Sequence, residues 1–397
     1  IRNVYKECKG VPKSNCLTKE QRLSLQMDEF MNRRYEFRYN TQIGEVEYRE
    51  RFSFQFYFHP IDKRAQNSIM LDAQSEGIGV WDRDIDRYLH SNRVPIYNPL
   101  EEFLFHLPHW DGKDRIHALA NRVPCKNPHW ELLFHRWFLN MVSHWRGVDK
   151  MHANNTSPIL VGRQGTHKST FCREMIPPAL RAYYTDSIDF SHKRDAELYL
   201  NRFALINIDE FDQITLPQQG FLKHILQKPV VNLRKPHGRS VLELQRYASF
   251  IGTSNQKDLL TDPSGSRRFI CIEVTGNIDT TQPIDYEQLY AQAMHEIHHG
   301  ERYWFDSEDE QIMTENNREF EQTPAMLQLF YQYFKTAQTK EEGEFLTPVE
   351  ILNYLKKKSG MSLSDNKVYH FGRLLQKCGI PSKHTYKGTV YQVIKLS

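Results

Sequence analysis

An apolar strand that runs directly into a glycine-punctuated turn and a helix start does most to limit what this chain can fold into. It reads Ile159-Leu160-Val161-Gly162-Arg163-Gln164-Gly165-Thr166-His167-Lys168-Ser169-Thr170. Such a turn works only between a buried parallel strand and a helix N-terminus, whose backbone N–H groups then point at phosphate oxygens. Gly162 supplies the turn out of the strand, and Gly165 lets backbone approach phosphate with no Cβ in the way. Lys168 is placed to reach the β- and γ-phosphates, and Ser169 to ligate Mg²⁺. One position departs from the pattern: His167 stands where glycine is usual. Its imidazole either faces outward or lies beside the phosphates.

Two further strands carry matching chemistry. Phe203 to Ile208 is an apolar run that ends in Asp209 and Glu210. Asp209 suits Mg²⁺, held through water because that ion keeps part of its hydration shell. Glu210 suits orientation of an attacking water, since phosphoryl transfer depends on positioning and charge stabilisation. Phe250 to Ser254 leads to Asn255, placed to hydrogen-bond that water or the γ-phosphate, and Arg267 and Arg268 follow a Pro-Ser-Gly turn. One of the two arginines would serve as a finger on a neighbouring subunit's γ-phosphate. These parts read as an ATP hydrolysis site that uses Mg²⁺. From Ile159 to about Val274 strands alternate with helical segments, which predicts a parallel sheet flanked by helices.

The chain has 397 residues, room for several cores. Its net charge of +3 advertises no global affinity for nucleic acid, so any basic surface is local. A mean hydropathy of −0.66 and the lack of a long uncharged apolar run argue against a membrane span. The start lacks the apolar stretch of a signal peptide, and the six cysteines contain no Cys-x-x-Cys pair. A cytoplasmic protein with reduced thiols is the expectation. The chain opens on Ile1 rather than Met, which reads as a piece of a longer protein with an upstream domain.

Along the chain the expected units are a helical leader over 1–34, a mixed β and helical domain over 35–148, the nucleotide-binding domain over 149–305, a helical linker over 306–344 and a small unit over 345–397. Thr18 to Gln21 has the form of a capping box. Strands are predicted at Tyr35–Tyr39 and Gly44–Tyr48, followed by another aromatic run from Phe52 to Phe58. The stripe of Trp130, Leu133, Phe134, Trp137, Phe138, Met141, Val142 and Trp145 recurs at helical spacing and is read as core. Glu287 to Trp304 is expected to form a closing helix. Thr347 to Glu350 looks like an N-cap with proline at the first helical position. A second helix over Asp365–Cys378 and a hairpin from Lys383 then suggest a winged helix.

Between the acid pair and Asn255 lies a basic cluster, Arg234, Lys235, His237 and Arg239, interrupted by Pro236 and Gly238. Such a loop suits a hairpin that tracks a phosphate backbone, and equally a solvated turn. The C-terminal unit is also basic; winged helices bind DNA and also serve as protein contacts.

The ordered set of motifs resembles the virulence-associated protein E family. It comprises Tyr97–Leu100, His109–Arg115, Gly162–Phe171, Ile208–Phe211, Arg234–Arg239, Arg246–Asn255 and Gly265–Phe269, over roughly residues 35 to 275. The resemblance implies an α/β fold with an AAA+ P-loop ATPase core similar to that of superfamily-three helicases, an N-terminal mixed domain and a C-terminal winged-helix-like unit. It implies a DNA helicase or translocase of a mobile element that forms a homo-oligomer, expected as a hexameric ring, on single-stranded or forked DNA. It also implies an upstream primase-like domain or partner. The loop from Gly162 to Thr170 would bind ATP; Lys168, Glu210, Asn255, Arg267 and Arg268 would carry catalysis, with Ser169 and Asp209 on Mg²⁺. The alternative is a nucleotide-switched regulator or defence module with little turnover.

Overall fold

The computed structural model describes residues 17–147, 152–233, 242–260, 263–322, 325–337, 343–360, 368–386 and 388–396. The chain starts with α1 (Lys19–Arg34), β1 (Tyr35–Asn40), β2 (Glu45–Glu50), β3 (His59–Pro60), α2 (Lys63–Ser75), α3 (Asp82–Leu89) and β4 (Ile96–Tyr97). A capping box opens α1: Thr18 accepts from Gln21 N, and the Gln21 side chain returns to Thr18 N. β1 pairs antiparallel with β2 and parallel with β4, giving a sheet ordered β3-β2-β1-β4. Phe30 and Met31 of α1 share one core with Tyr35, Phe37, Ile85 and Tyr88, so the leader helix packs into this unit. The aromatic run Phe52–Phe58 forms no strand; pairing with β2 resumes only after it, at His59–Pro60, and Phe52, Phe54, Phe56 and Tyr57 are exposed.

Helices α4 (Pro99–Phe105), α5 (Arg115–Ala120) and α6 (Trp130–Trp145) follow. The aromatic stripe behaves as core. Thirteen of the sixteen residues of α6 are buried, and each large side chain contributes roughly 1.5–3 kcal/mol of burial. Trp137 and Trp145 donate their indole N–H groups to the carbonyls of Phe250 and Ala204, which seats α6 on the central sheet.

That sheet is built from β5 (Ser157–Val161), β6 (Tyr184–Thr185), β7 (Leu205–Ile208), β10 (Ser249–Ser254) and β11 (Phe269–Glu273), with α7 (Lys168–Glu174), α8 (Lys193–Arg202), α9 (Leu216–Leu226), β8 (Val230–Leu233) and β9 (Leu242–Gln245) between them. The order is β11-β5-β10-β7-β6 and every pairing is parallel. The three central strands β5, β7 and β10 are buried throughout, as expected of a sheet covered on both faces. Alternate residues serve opposite cores. Leu160, Leu205, Ile251 and Ile270 meet α6 and α10 (Tyr286–His298), whereas Ile159, Ile206, Phe250 and Phe269 meet α8 and α9.

The core under α6 therefore draws on residues on both sides of position 148. The closing helix ends at His298, with Gly300 at φ +85° just beyond it, rather than at Trp304. Within the expected helical linker, α11 (Ser307–Asn317) lies against β11, and Asn317 donates to the carbonyls of Ser266 and Phe269.

The last unit contains α12 (Ala325–Tyr333), β12 (Phe334–Thr336), β13 (Glu344–Leu346), α13 (Pro348–Ser359), α14 (Val368–Lys377), β14 (Ser382–Thr385) and β15 (Gly388–Lys395). β15 pairs antiparallel with β12, β13 and β14. Thr347 caps α13 through a reciprocal box with Glu350, with Pro348 at the first helical position. No helix among the described residues is long and apolar enough to cross a membrane.

Candidate functional site

The chain leaves β5, runs outward to β6 and β7, and returns to lay β10 between β7 and β5. Parallel strands all end on the same edge, and in open α/β sheets that carboxyl edge, where the chain reverses its strand order, is where ligands bind. The register puts Val161 beside Ser254, and Gly252 beside Ile208. The loop after β5, the acids after β7 and Asn255 after β10 are therefore neighbours.

The backbone of the loop follows from its residues. A Cβ on Gly162 would meet the Val274 carbonyl at 3.0 Å, so only glycine passes that strand without a shift. Gly165 has φ +83°. His167 adopts φ +65°, a left-handed conformation that costs an ordinary residue about 1–2 kcal/mol. The conformation that glycine usually provides is thus kept by a histidine. Its ring is exposed, with Nδ1 3.5 Å from Thr280 Oγ1. His167 is the N-cap of α7 and makes no side-chain capping hydrogen bond to it.

Lys168 is buried. Its ammonium donates to the Gly162 carbonyl at 2.7 Å, the Arg163 carbonyl at 2.8 Å and Asn255 Oδ1 at 3.2 Å. Burial lowers its pKa below the ordinary lysine value, and the carboxylate of Asp209 opposes that shift. Ser169 Oγ donates to Asp209 Oδ1 at 3.0 Å, and Thr253 Oγ1 donates to the same oxygen. Serine hydroxyl and carboxylate thus meet as a pair of hard oxygen donors, the type that Mg²⁺ prefers. Glu210 is exposed and has φ +52°. Among the described residues, His167 and Glu210 are the non-glycine residues with positive φ, and both lie on this edge. Such outliers concentrate where a site holds its backbone in place. A cleft of about 580 Å³ runs along the loop between Gly162, Arg163, Thr166, Asn255 and Lys257 and the end of β11.

Sequence reasoning missed Asp212. It lies in the 3₁₀ turn Phe211–Gln213, where Oδ1 accepts from Ser254 Oγ at 2.8 Å and from Asn255 N at 3.3 Å. That carboxylate ties the segment after the acids to the end of β10. The signal was a third acid three residues after Asp209, which gains meaning only once β7 and β10 are known to pair. Thr253 was missed for the same reason.

The structure does not bring Arg267 and Arg268 to this edge. They close the 3₁₀ turn Pro263–Arg268 that precedes β11, and Phe269 pairs with Ser157, the first residue of β5. They therefore lie at the opposite end of the sheet, five strand residues or roughly 16 Å away. Arg267 forms an ion pair with Glu310 of α11 at 2.9 Å. Arg234, Lys235, His237 and Arg239 lie outside the described residues; the flanking strands β8 and β9 pair antiparallel up to Leu233 and Leu242.

A sequence model described as the virulence-associated protein E-like domain matches residues 104–322, more than half of the chain. A second, described as a domain of unknown function from a B. theta gene (DUF3874), matches residues 323–393. No curated protein matches the chain. Solved apo structures of the NrS-1 C-terminal region are similar at 11% identity and a TM-score of 0.45. One of residues 305–718 covers 94% of this chain and 98% of its own; another, in the A form, covers 94% and 99%.

Proposed function

This chain belongs to the virulence-associated protein E-like family, and on the geometry of its sheet edge we propose that it is an oligomeric, ring-forming ATPase that moves along or remodels DNA in the replication of a mobile element. The observation that carries this reading is the meeting of Lys168, Ser169, Asp209 and Asn255 at the carboxyl ends of three adjacent parallel strands. In this reading Lys168 leaves the Gly162 and Arg163 carbonyls to contact the β- and γ-phosphates. Ser169 and Asp209 hold Mg²⁺, which neutralises charge on phosphate oxygens when bound. Glu210 orients the water that attacks the γ-phosphorus, and Asn255 fixes its angle of approach. One of Arg267 and Arg268, at the far end of β11, reaches the site of a neighbouring subunit. An arginine supplied in trans is worth about 10³–10⁵ in turnover in enzymes of this chemistry. The basic cluster from Arg234 to Arg239 follows the DNA.

The test is ATP hydrolysis with and without single-stranded DNA. Turnover stimulated by DNA and abolished by Lys168→Ala is expected; turnover untouched by that substitution overturns the assignment.

One observation favours a second reading, a nucleotide-switched regulator with little turnover. The Lys168 ammonium is satisfied by Gly162, Arg163 and Thr166 of its own loop and by Asn255 at the end of β10, so nucleotide must displace four internal hydrogen bonds. Slow hydrolysis indifferent to DNA, with assembly that depends on nucleotide, identifies that case.

A further inference from the structure

We propose that the C-terminal unit, residues 325–396, binds duplex DNA, with the Tyr369, Arg373 and Gln376 face of α14 directed into the major groove. The inference is independent of turnover at the Lys168 site.

Charge is the first observation. Residues 325–397 contain eleven Lys and Arg against five Asp and Glu, a net charge of +6, in a chain whose total is +3. The remainder is therefore net negative, and the cationic field of the molecule is concentrated in its last fifth. Such segregation suits a polyanionic partner. The two acids within the described part of this unit are already engaged. Glu344 pairs with Lys395 at 2.6 Å, and Glu350 accepts from the Thr347 cap at 2.7 and 2.9 Å. Lys357 and Arg373 are exposed and have no carboxylate partner among the described residues.

Helix geometry is the second. Phe371 and Leu375 enter a core with Phe330, Phe334 and Leu355, which fixes the rotation of α14. Tyr369, Arg373 and Gln376, spaced four and three apart, then share the outer face, and all three are exposed. The Arg373 guanidinium lies 4.5 Å from the Tyr369 ring centroid and donates to its hydroxyl at 2.8 Å. The ring thus holds a donor fork in an outward position before any partner arrives. The B-form major groove admits one helix; an arginine fork matches the acceptors of guanine, and a glutamine amide matches adenine.

The hairpin is the third. β15 is tied to α14 through Tyr391, whose hydroxyl donates to the Gly372 carbonyl at 2.7 Å. Its turn carries Tyr386 at 96% exposure, beside Lys387 in sequence. A helix with a basic, aromatic-tipped hairpin beside it can engage base edges and the flanking phosphates together.

The experiment is fluorescence anisotropy of the full chain without nucleotide, titrated against a labelled duplex of roughly two helical turns and against one of its single strands, across a salt series. The parent protein is expected to prefer the duplex. Tyr369→Ala/Arg373→Ala is expected to weaken duplex binding about tenfold, with melting temperature and basal ATP hydrolysis unchanged. Arg373→Lys, which keeps the charge without the fork, is expected to recover only part of the lost duplex affinity. Arg373→Gln, a milder change at an exposed position, covers the case in which the double variant folds poorly. Parental duplex affinity in both Arg373→Gln and the double variant overturns the proposal. So does a preference for the single strand, or a change confined to the sedimentation of the protein, which marks the face as a contact between copies of this chain.

Discussion

Asn255 Oδ1 accepts a 3.2 Å hydrogen bond from Lys168 Nζ, across 87 residues of sequence. This bond joins the end of β10 to the loop after β5, and it holds the ammonium in a buried position. Burial depresses the lysine pKa below its ordinary value of 10.5. Between the folded and unfolded values the unfolded chain binds more protons, so the destabilising cost of the buried charge is present below that window and is relieved as pH rises through it. In the proposed ATPase the dependence of turnover runs the other way, because phosphate binding there would need the ammonium. The alkaline limb of kcat/KM is therefore expected below pH 10.5. Lys168→Arg, if it retains turnover, is expected to remove that limb. A pH profile of both proteins checks this, and a limb at the ordinary lysine position contradicts it.

Asp212 is expected to position Asn255 without touching nucleotide. Asp212→Ala strips the acceptor from Ser254 Oγ and Asn255 N, a loss of about 1–3 kcal/mol of local order. Turnover should fall about 10- to 100-fold, with nucleotide affinity changed far less. Asp212→Asn, which keeps an Oδ1 acceptor, should recover most of it. Steady-state kinetics beside equilibrium nucleotide binding separates the two effects.

His167 tests how much strain the loop stores. In His167→Gly the left-handed conformation becomes free of penalty, a gain of about 1–2 kcal/mol partly offset by the greater backbone freedom of glycine when unfolded. The variant should unfold at the parental denaturant concentration or above it. His167→Val, β-branched at the same φ, should unfold earlier by at least ~1 kcal/mol. Chemical denaturation of the three proteins decides the matter.

Arg246 is fully buried and donates to five carbonyls: Ala248 at 2.9 Å, Ile225 at 3.3 Å, Leu226 at 2.7 Å, Lys228 at 2.7 Å and Asn154 at 2.9 Å. It joins the end of α9 to the segments before β5 and β10. Arg246→Ala orphans those acceptors and should destabilise the protein by about 3–5 kcal/mol. Arg246→Lys should rescue little, since an ammonium lacks the fork. Thermal unfolding of both variants provides the measure.

Arg267 is held by Glu310 of its own chain at a distance from its own loop. If it acts on a neighbour, Arg267→Ala and Lys168→Ala proteins, each inactive alone, should regain part of the turnover when mixed. The first then supplies an intact loop and the second an intact arginine. A mixture as inactive as its components argues against a shared site.

Local signals were legible where they act within a few residues. The capping box at Thr18, the N-cap at Thr347, the buried stripe of α6 and the strand at Tyr35 appear where periodicity and cap chemistry put them, and the next strand starts at Glu45, one residue after its expected start. The motifs matched in sequence, with glycines where backbone must bend, also indicated which loop holds Lys168. Helix ends and unit boundaries were less legible. The helix from Tyr286 stops at His298, and the core beneath α6 crosses residue 148, because packing partners distant in sequence decide where a segment is buried.

Residue order alone determined that this chain carries a glycine-punctuated loop between an apolar strand and a helix start, two acids after a second apolar strand and a polar end on a third, since each of these depends on neighbours along the chain. Only the folded sheet decided that β10 lies between β5 and β7, which brings Lys168 to Asn255 and Ser169 to Asp209 and recruits Asp212. It also decided that Arg267 and Arg268 stand at the far end of β11. Strand adjacency and direction arise from pairing across long loops, and no local pattern of side chains encodes which strands will meet.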